Sequence, residues 1–415
     1  MNTPDLKASK LDCIQRTFSG DMPYFISLNL CFEKYPDLTR MQKAVSLLSE
    51  AVPVLSADFD ASSSGWIYTD RQIEITNFSG TTDDTVEYLN NLSADAIPFS
   101  VLYIKKSNTL ILTVDHAITD AHGLLQLSKI LCTAYRALKT DPSYKIPKTI
   151  REREFSLTEK MTKFPEKICI ELCQNEIDTF DSVKMWLKYL TPIEPVKEKY
   201  QFHIRKISPK IFSAAKSRAK KHGATVNDLL KTAFAVSIQK HIFEKDGVMI
   251  SVVPMRQAND LRKYLPEDMR LEIGNFSVPC WSPVECGNSD FSEILEKAAL
   301  LSLKLKEHPT APGVLFAVEN PENPISRILI KNDCSPSASL SNTGIIPPEA
   351  VDFGEDLKVI EAALYSDFRF GNPYFLIAST YDGQLSLIII TKSAGVEYAE
   401  KILDETEKII SGFTD

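Results

Sequence analysis

The chain has 415 residues, enough for two domains of roughly 150–200 residues each, and its 44% hydrophobic and 25% charged content excludes a disordered chain. Lysine and arginine number 47 against 55 aspartates and glutamates, a formal net charge of −8. This acidic excess without a basic stripe argues against a nucleic-acid partner, whose phosphates need clustered cations. The longest aliphatic run, Leu387–Ile390, is far short of the ~20 apolar residues a membrane span needs. Residues Met1–Lys10 carry no apolar stretch of the secretory type, so no signal peptide is expected. The eight cysteines are scattered without a CxxC, which points to reduced thiols and a cytoplasmic location.

Strand-like and helix-like stretches alternate along the chain, and no repeat of about 20–50 residues is present, which excludes a solenoid or propeller. Tyr24–Phe32 alternates apolar with small or polar residues, as a half-buried strand does. Leu38, Met41, Ala44, Val45 and Leu48 then fall on one helical stripe. Trp66–Thr69 and Gln72–Thr76 are expected as a pair of short strands, and Asp84–Leu92 as a short helix. Phe99–Ile104 and Leu110–Val114 read as strands joined by the turn-like Lys105–Asn108, with a helix from about Asp120 to Leu138 behind them.

From Lys139 to about Tyr200, five prolines and the charge run Arg151–Glu154 interrupt the core-like pattern. This stretch is expected as a solvated connector holding one or two helices, such as Asp181–Tyr189. The domains are accordingly expected over residues 1–180 and 181–415. Beyond it, Gln201–Ile207 reads as a strand and Pro209–Lys221 as a helix with proline at its first position. Thr225-Val-Asn-Asp228 has capping-box character ahead of the helical stripe Leu229, Leu230, Ala233, Phe234, Ile238 and Ile242. Strands are expected at Val248–Pro254 and Asn275–Trp281, then a helix at Phe291–Leu305. The tail offers strands at Ser337–Ser341, Tyr374–Thr380 and Leu385–Thr391 and a final helix at Val396–Ile410. Asp382-Gly383 between the last two strands is a hairpin signal, so the sheets are not purely parallel. Each half therefore reads as an α/β (α+β) layer of mixed sheet and helices.

Two of the six histidines lie in Leu112-Thr-Val-Asp-His-Ala-Ile-Thr-Asp-Ala-His-Gly123. His116 directly follows an apolar strand, where a side chain lines a cleft and a neutral imidazole can accept a proton near neutral pH. Asp120 is close enough to orient the loop, and Gly123 permits close backbone approach. His122 fits a surface position in the first helical turn. Asp115, His116, Asp120 and His122 include the ligand types of a two-histidine, one-carboxylate metal site, but their spacing splits them between strand end and helix start, so no metal is expected. Cys169 and Cys173, at helical spacing, fit buried thiols better than a metal pair.

The His116-xxx-Asp120 pattern, after an apolar strand and before a helix, resembles the HxxxD signature of the acyltransferase superfamily that includes chloramphenicol acetyltransferase, plant BAHD acyltransferases, alcohol acetyltransferases and peptide-synthetase condensation domains. The usual form continues DG. Here Ala121 follows the aspartate and the glycine comes at Gly123, as in some plant alcohol acyltransferases. Further segments occur in matching order: Thr225–Leu230, Val253-Pro-Met-Arg256 followed by Ile273-Gly-Asn275, and Ser339-Leu-Ser-Asn-Thr-Gly344. The paired histidines of condensation domains are absent, since Asp115 precedes His116.

The resemblance implies two chloramphenicol-acetyltransferase-like mixed-sheet subdomains acting as a pseudo-dimer with the site at their interface, and a chain that works as a monomer. It implies His116 as general base on an alcohol or amine that attacks a thioester. Asp120 would be structural and paired with Arg256, and Ser341 or Asn342 would donate to the oxyanion. Acyl-CoA is the expected co-substrate, with no permanently bound cofactor. A phosphopantetheine thioester on a carrier protein is the alternative donor, and a non-catalytic acyl-binding relative the alternative function.

Overall fold

The computed structural model describes residues 5–19, 25–79, 98–147, 156–190, 200–270, 272–333, 335, 337–366, 374–392 and 396–414. The chain forms two compact units. The first comprises Met1–Ser156, Pro266–Phe276 and Ile345–Asp367, and the second Leu157–Leu265, Ser277–Gly344 and Phe368–Asp415. Neither unit is one continuous stretch.

The first unit is built on a five-stranded sheet in the order Val359–Ser366, Phe25–Phe32, Thr109–Asp115, Phe99–Ile104, Ile75–Phe78. Its neighbours are antiparallel except the last pair, which is parallel. Every residue of the middle strand Thr109–Asp115 is buried, which accounts for its mostly apolar stretch Leu110–Val114, broken only by Thr113. The expected turn before it is present, with Asn108 in the left-handed region at φ 52°, a conformation asparagine tolerates. Asp37 caps the helix Leu38–Ala51 by accepting from the Arg40 N–H at 3.0 Å, and Met41, Ala44, Val45 and Leu48 form its buried stripe as expected.

The two short strands expected as a pair are not partners. Gly65–Ile67 lies between Leu6–Lys7 and Asp58–Asp60 in a separate small sheet, while Ile75–Phe78 joins the main sheet beside Phe99–Ile104. Gly65–Ile67 turns back on the preceding Asp58–Asp60 and is paired on both sides, so its backbone groups are satisfied without Ile75–Phe78. The expected helix Asp84–Leu92 and the charge run Arg151–Glu154 lie outside the described residues.

In the second unit a six-stranded mixed sheet runs Ser277–Trp281, Met255–Asp260, Ala338–Ile345, Phe375–Tyr381, Gln384–Lys392, Tyr200–Ile207. The hairpin closes with Asp382 at φ 46° and Gly383 at φ 76°, the doubly left-handed turn its sequence favours. Of the expected strand Val248–Pro254 only Val252–Val253 forms, and it pairs with Val284–Glu285. Helix Val226–Asp246 carries the full capping box at Thr225 and Asp228 and ends on Gly247 at φ 67°. It buries Leu229, Leu230, Ala233, Phe234, Ile238 and Ile242.

Among the described residues, the expected connector holds a long helix that contributes to the core. Glu166–Val183 is a regular helix followed by the 3-10 segment Lys184–Tyr189. Its stripe of Cys169, Leu172, Cys173, Glu176 and Ile177 is buried. It packs on Ala311–Glu319, a helix with no counterpart in the sequence reading. A Cβ on Gly313 would stand 2.6 Å from the Cys173 nitrogen, so the two helices meet backbone to backbone. Burial pushes the Cys169 and Cys173 thiols up to about 11 and about 12, as suits inert core cysteines.

Candidate functional site

All the groups around His116 described here belong to the first unit. The buried strand Thr109–Asp115 ends at Asp115, whose carboxylate is 1% exposed and is held at both oxygens. Its Oδ1 accepts from the Ala117 N–H at 2.8 Å, folding the chain into a turn just as His116 leaves the sheet. Its Oδ2 is paired with the Arg16 guanidinium from helix Lys10–Ser19. A strand end held in this way fixes where the next side chain emerges.

Five residues on, Asp120 is the N-cap of helix Ala121–Thr140, with Oδ1 accepting from the Gly123 N–H at 3.0 Å. Its second oxygen accepts from the Phe276 N–H at 2.9 Å. Thr119 and Gly274 add reciprocal contacts, the Thr119 hydroxyl donating to the Gly274 carbonyl at 3.2 Å and receiving from its N–H at 3.1 Å. Segment Gly274–Phe276 is thereby tied along the His116 loop. Gly123 sits in the same crowd: a Cβ there would fall 1.8 Å from the Thr119 hydroxyl oxygen, so close approach explains the glycine.

His116 is half-buried, and its Nδ1 lies 3.0 Å from the Asn275 side-chain oxygen. That orientation of the Asn275 amide follows from its other end, where Nδ2 donates to Asp12 Oδ1 at 3.0 Å and to the Ala117 carbonyl at 3.2 Å. Both of those partners are acceptors, so the amide nitrogen must face them and the oxygen must face the imidazole. Burial holds the His116 pKa below its ordinary value. Its own backbone contact, the Asp120 charge, Asn275 and Asp115 oppose that shift without overcoming it. That direction favours the neutral imidazole at neutral pH.

His122 is half-buried in the first turn of the helix, its Nε2 3.3 Å from the Gln126 amide nitrogen. Among the described residues no three histidine, cysteine, aspartate or glutamate side chains come together as a metal site, and no helix is long and apolar enough to cross a membrane.

Arg256, Ser341 and Asn342 lie in the second unit. Arg256 is buried in strand Met255–Asp260, stacks 4.2 Å above the Trp281 ring and donates from Nη2 to the Asn332 carbonyl at 3.0 Å. Ser341 and Asn342 sit half-buried in the strand Ala338–Ile345. The Asn342 oxygen accepts from Gly344 N–H at 3.1 Å, with Gly344 at φ 78°, and its Nδ2 is 3.4 Å from Asn227 Oδ1.

The sequence singles out His116, Asp120 and Gly123 as candidates but passes over Asp12. The signal was present, since Ser9-Lys-Leu-Asp12 is a capping box of the same kind as Thr225–Asp228.

No family model matches the sequence, and no curated protein matches it. Its fold is that of several solved structures. Polyketide synthase associated protein 5 from Mycobacterium tuberculosis is 15% identical with a TM-score of 0.67, the alignment covering 99% of both chains. The trichothecene 15-O-acetyltransferase of Fusarium sporotrichioides is 12% identical with a TM-score of 0.69, over 97% of this chain and 95% of that one. The first condensation domain of the calcium-dependent antibiotic synthetase, in complex with a substrate analogue, is 12% identical with a TM-score of 0.70, over 100% and 98%. The mixed α/β fold expected from the resemblance is the fold observed.

Proposed function

We propose that the chain is an acyltransferase in which His116 takes the proton from an alcohol or amine acceptor as that acceptor attacks a thioester carbonyl. One observation carries this above the others: the Nδ1 side of the imidazole faces the Asn275 oxygen. A hydrogen on Nδ1 satisfies that contact, and in the neutral ring it leaves the Nε2 lone pair as the basic site. The acceptor's O–H or N–H bond breaks toward Nε2, a new C–O or C–N bond forms at the carbonyl, and the C–S bond then breaks. The imidazolium returns its proton to the departing thiolate, giving a thiol and an ester or amide. Proton transfer of this kind is typically worth ~10²–10⁴-fold in rate.

Asp120 takes no part in the proton transfer here. It spends both carboxylate oxygens on backbone N–H groups, at Gly123 and Phe276, and so holds the loop that carries the base. Acyl-CoA is the donor we assign. The condensation-domain likeness favours a second donor, the same thioester on the phosphopantetheine arm of a carrier protein.

Purified protein with acetyl-CoA or longer acyl-CoA and a panel of alcohols and amines tests the proposal by release of free thiol. Acceptor-dependent release, lost in His116→Ala, is expected. Release only with an acylated carrier protein would select the second donor. Binding of an acyl-CoA with no release above the His116→Ala background, from either donor, would mark a non-catalytic acyl-binding protein.

A further inference from the structure

The N-terminal helix Lys10–Ser19 reaches the His116 loop with two side chains one turn apart on the same face, Asp12 and Arg16. Arg16 holds the strand end through Asp115. Asp12, fully buried, is itself fixed by the helix start: its Oδ2 accepts from the Ser9 N–H at 3.0 Å while the Ser9 hydroxyl accepts from the Asp12 N–H at 3.1 Å. The remaining oxygen, Oδ1, accepts from Asn275.

We propose that Asp12 is a positioning residue for the His116 base, acting through Asn275 by fixing which end of that amide faces the imidazole. This deepens the acyltransferase proposal and rests on it for its consequence in turnover. The physical point is that an amide has two nearly isosteric ends and only its hydrogen-bond partners distinguish them. Turned over, Asn275 would present N–H groups to His116 Nδ1. The neutral ring would then carry its hydrogen on Nε2 and have no lone pair there to accept a proton. Two acceptors prevent the turn, the Ala117 carbonyl and Asp12, and only Asp12 is a charged one that substitution can remove.

Long-range nitrogen spectra of full-length protein labelled with ¹⁵N-histidine report the tautomer directly, with His116 assigned from the spectrum of His116→Ala. Wild type is expected in the Nδ1–H form. Asp12→Ala and Asp12→Asn should move the tautomer ratio toward Nε2–H by roughly tenfold or more, the loss expected of one hydrogen bond to a charged group. Ser9→Ala weakens the same helix start yet leaves the Asp12–Asn275 contact, and should keep the wild-type tautomer. The pair Asp12→Asn with Asn275→Asp restores polarity, because the new carboxylate at 275 can only accept from Nδ1, and should restore the Nδ1–H form.

An unchanged tautomer in the folded Asp12 variants overturns the proposal. So does a Ser9→Ala shift of equal size, which would make the effect one of helix loss. If the Asp12 single variants do not fold, wild type itself decides by scalar coupling across the Asn275 Nδ2–H···Asp12 hydrogen bond, whose absence overturns the proposal. A tautomer that follows Asp12 in a protein without transferase activity would leave this proposal standing and overturn the acyltransferase one. With activity present, kcat should fall with the tautomer while KM stays.

Discussion

Two helices, one in each unit, begin with the same four-residue device. At Ser9–Asp12 and at Thr225–Asp228 a hydroxyl accepts from the N–H three residues on, and the aspartate accepts from the N–H of the hydroxyl residue. Both aspartates are buried, at 0% and 1% exposure. They differ in the second carboxylate oxygen. In the first unit it orients Asn275, and through it His116. In the second it accepts from the Ser302 hydroxyl and lies 3.9 Å from the ammonium of Lys231, which is wholly buried and donates to Ser282 and Ser302. A capping box uses only part of a carboxylate's acceptor capacity. What the surplus does is decided by the tertiary neighbours, the amide beside the candidate base in one case and a buried cation in the other.

That contrast can be broken most forcefully at the two partners. His116→Ala should lower kcat by ~10²–10⁴-fold with the denaturant midpoint near that of wild type, since a half-buried loop side chain is removed. Asp228→Ala should instead cost stability, about 3–5 kcal/mol, because it strips a buried ammonium of its charge partner and a helix of its cap. Urea unfolding reads this as a shifted midpoint at constant slope. The carboxylate bond to the Ser9 N–H lost in Asp12→Ala is worth about 1 kcal/mol, and a loss there as large as at Asp228 would erase the distinction between the two boxes.

A finer test uses the lysine. Burial pushes Lys231 down to about 8, opposed by Asp228. Between that value and the unfolded 10.5 the unfolded chain binds more protons, so this group's contribution to stability grows as pH rises through the window and is lost as pH falls back through about 8. Wild type should therefore gain stability relative to Lys231→Met from pH 8 to 10.5, and parallel curves would contradict the assignment. The smallest effect is at the other site. With the His116 pKa lowered by burial, the acid limb of kcat should have its midpoint below the ordinary 6.5, and a midpoint above it would indicate a different base.

The strand, loop and helix around His116 were legible because they are local: a mostly apolar strand, a histidine, then an aspartate at a helix start. Asn275 was visible only as part of a Gly-Asn resemblance, and the capping box Ser9–Asp12 was legible as a helix start, but nothing near it in the chain marks the contact of Asp12 with Asn275, 263 residues away. Helix Glu166–Val183 was hidden by its charged outer face and flanking prolines, although its buried stripe keeps helical spacing. Strand Val359–Ser366 went unread for a different reason: a register shift between Val359 and Glu361 breaks its alternation, and its burial does not follow a period of two.

The central claim is that His116 moves a proton in acyl transfer, and the balance of products measures it most directly. Acetyl-CoA and an accepted alcohol or amine should yield free coenzyme A and acylated acceptor in equal amounts with wild type, and neither above background with His116→Ala. Equal product from both proteins, or free coenzyme A without an acylated acceptor, would contradict it.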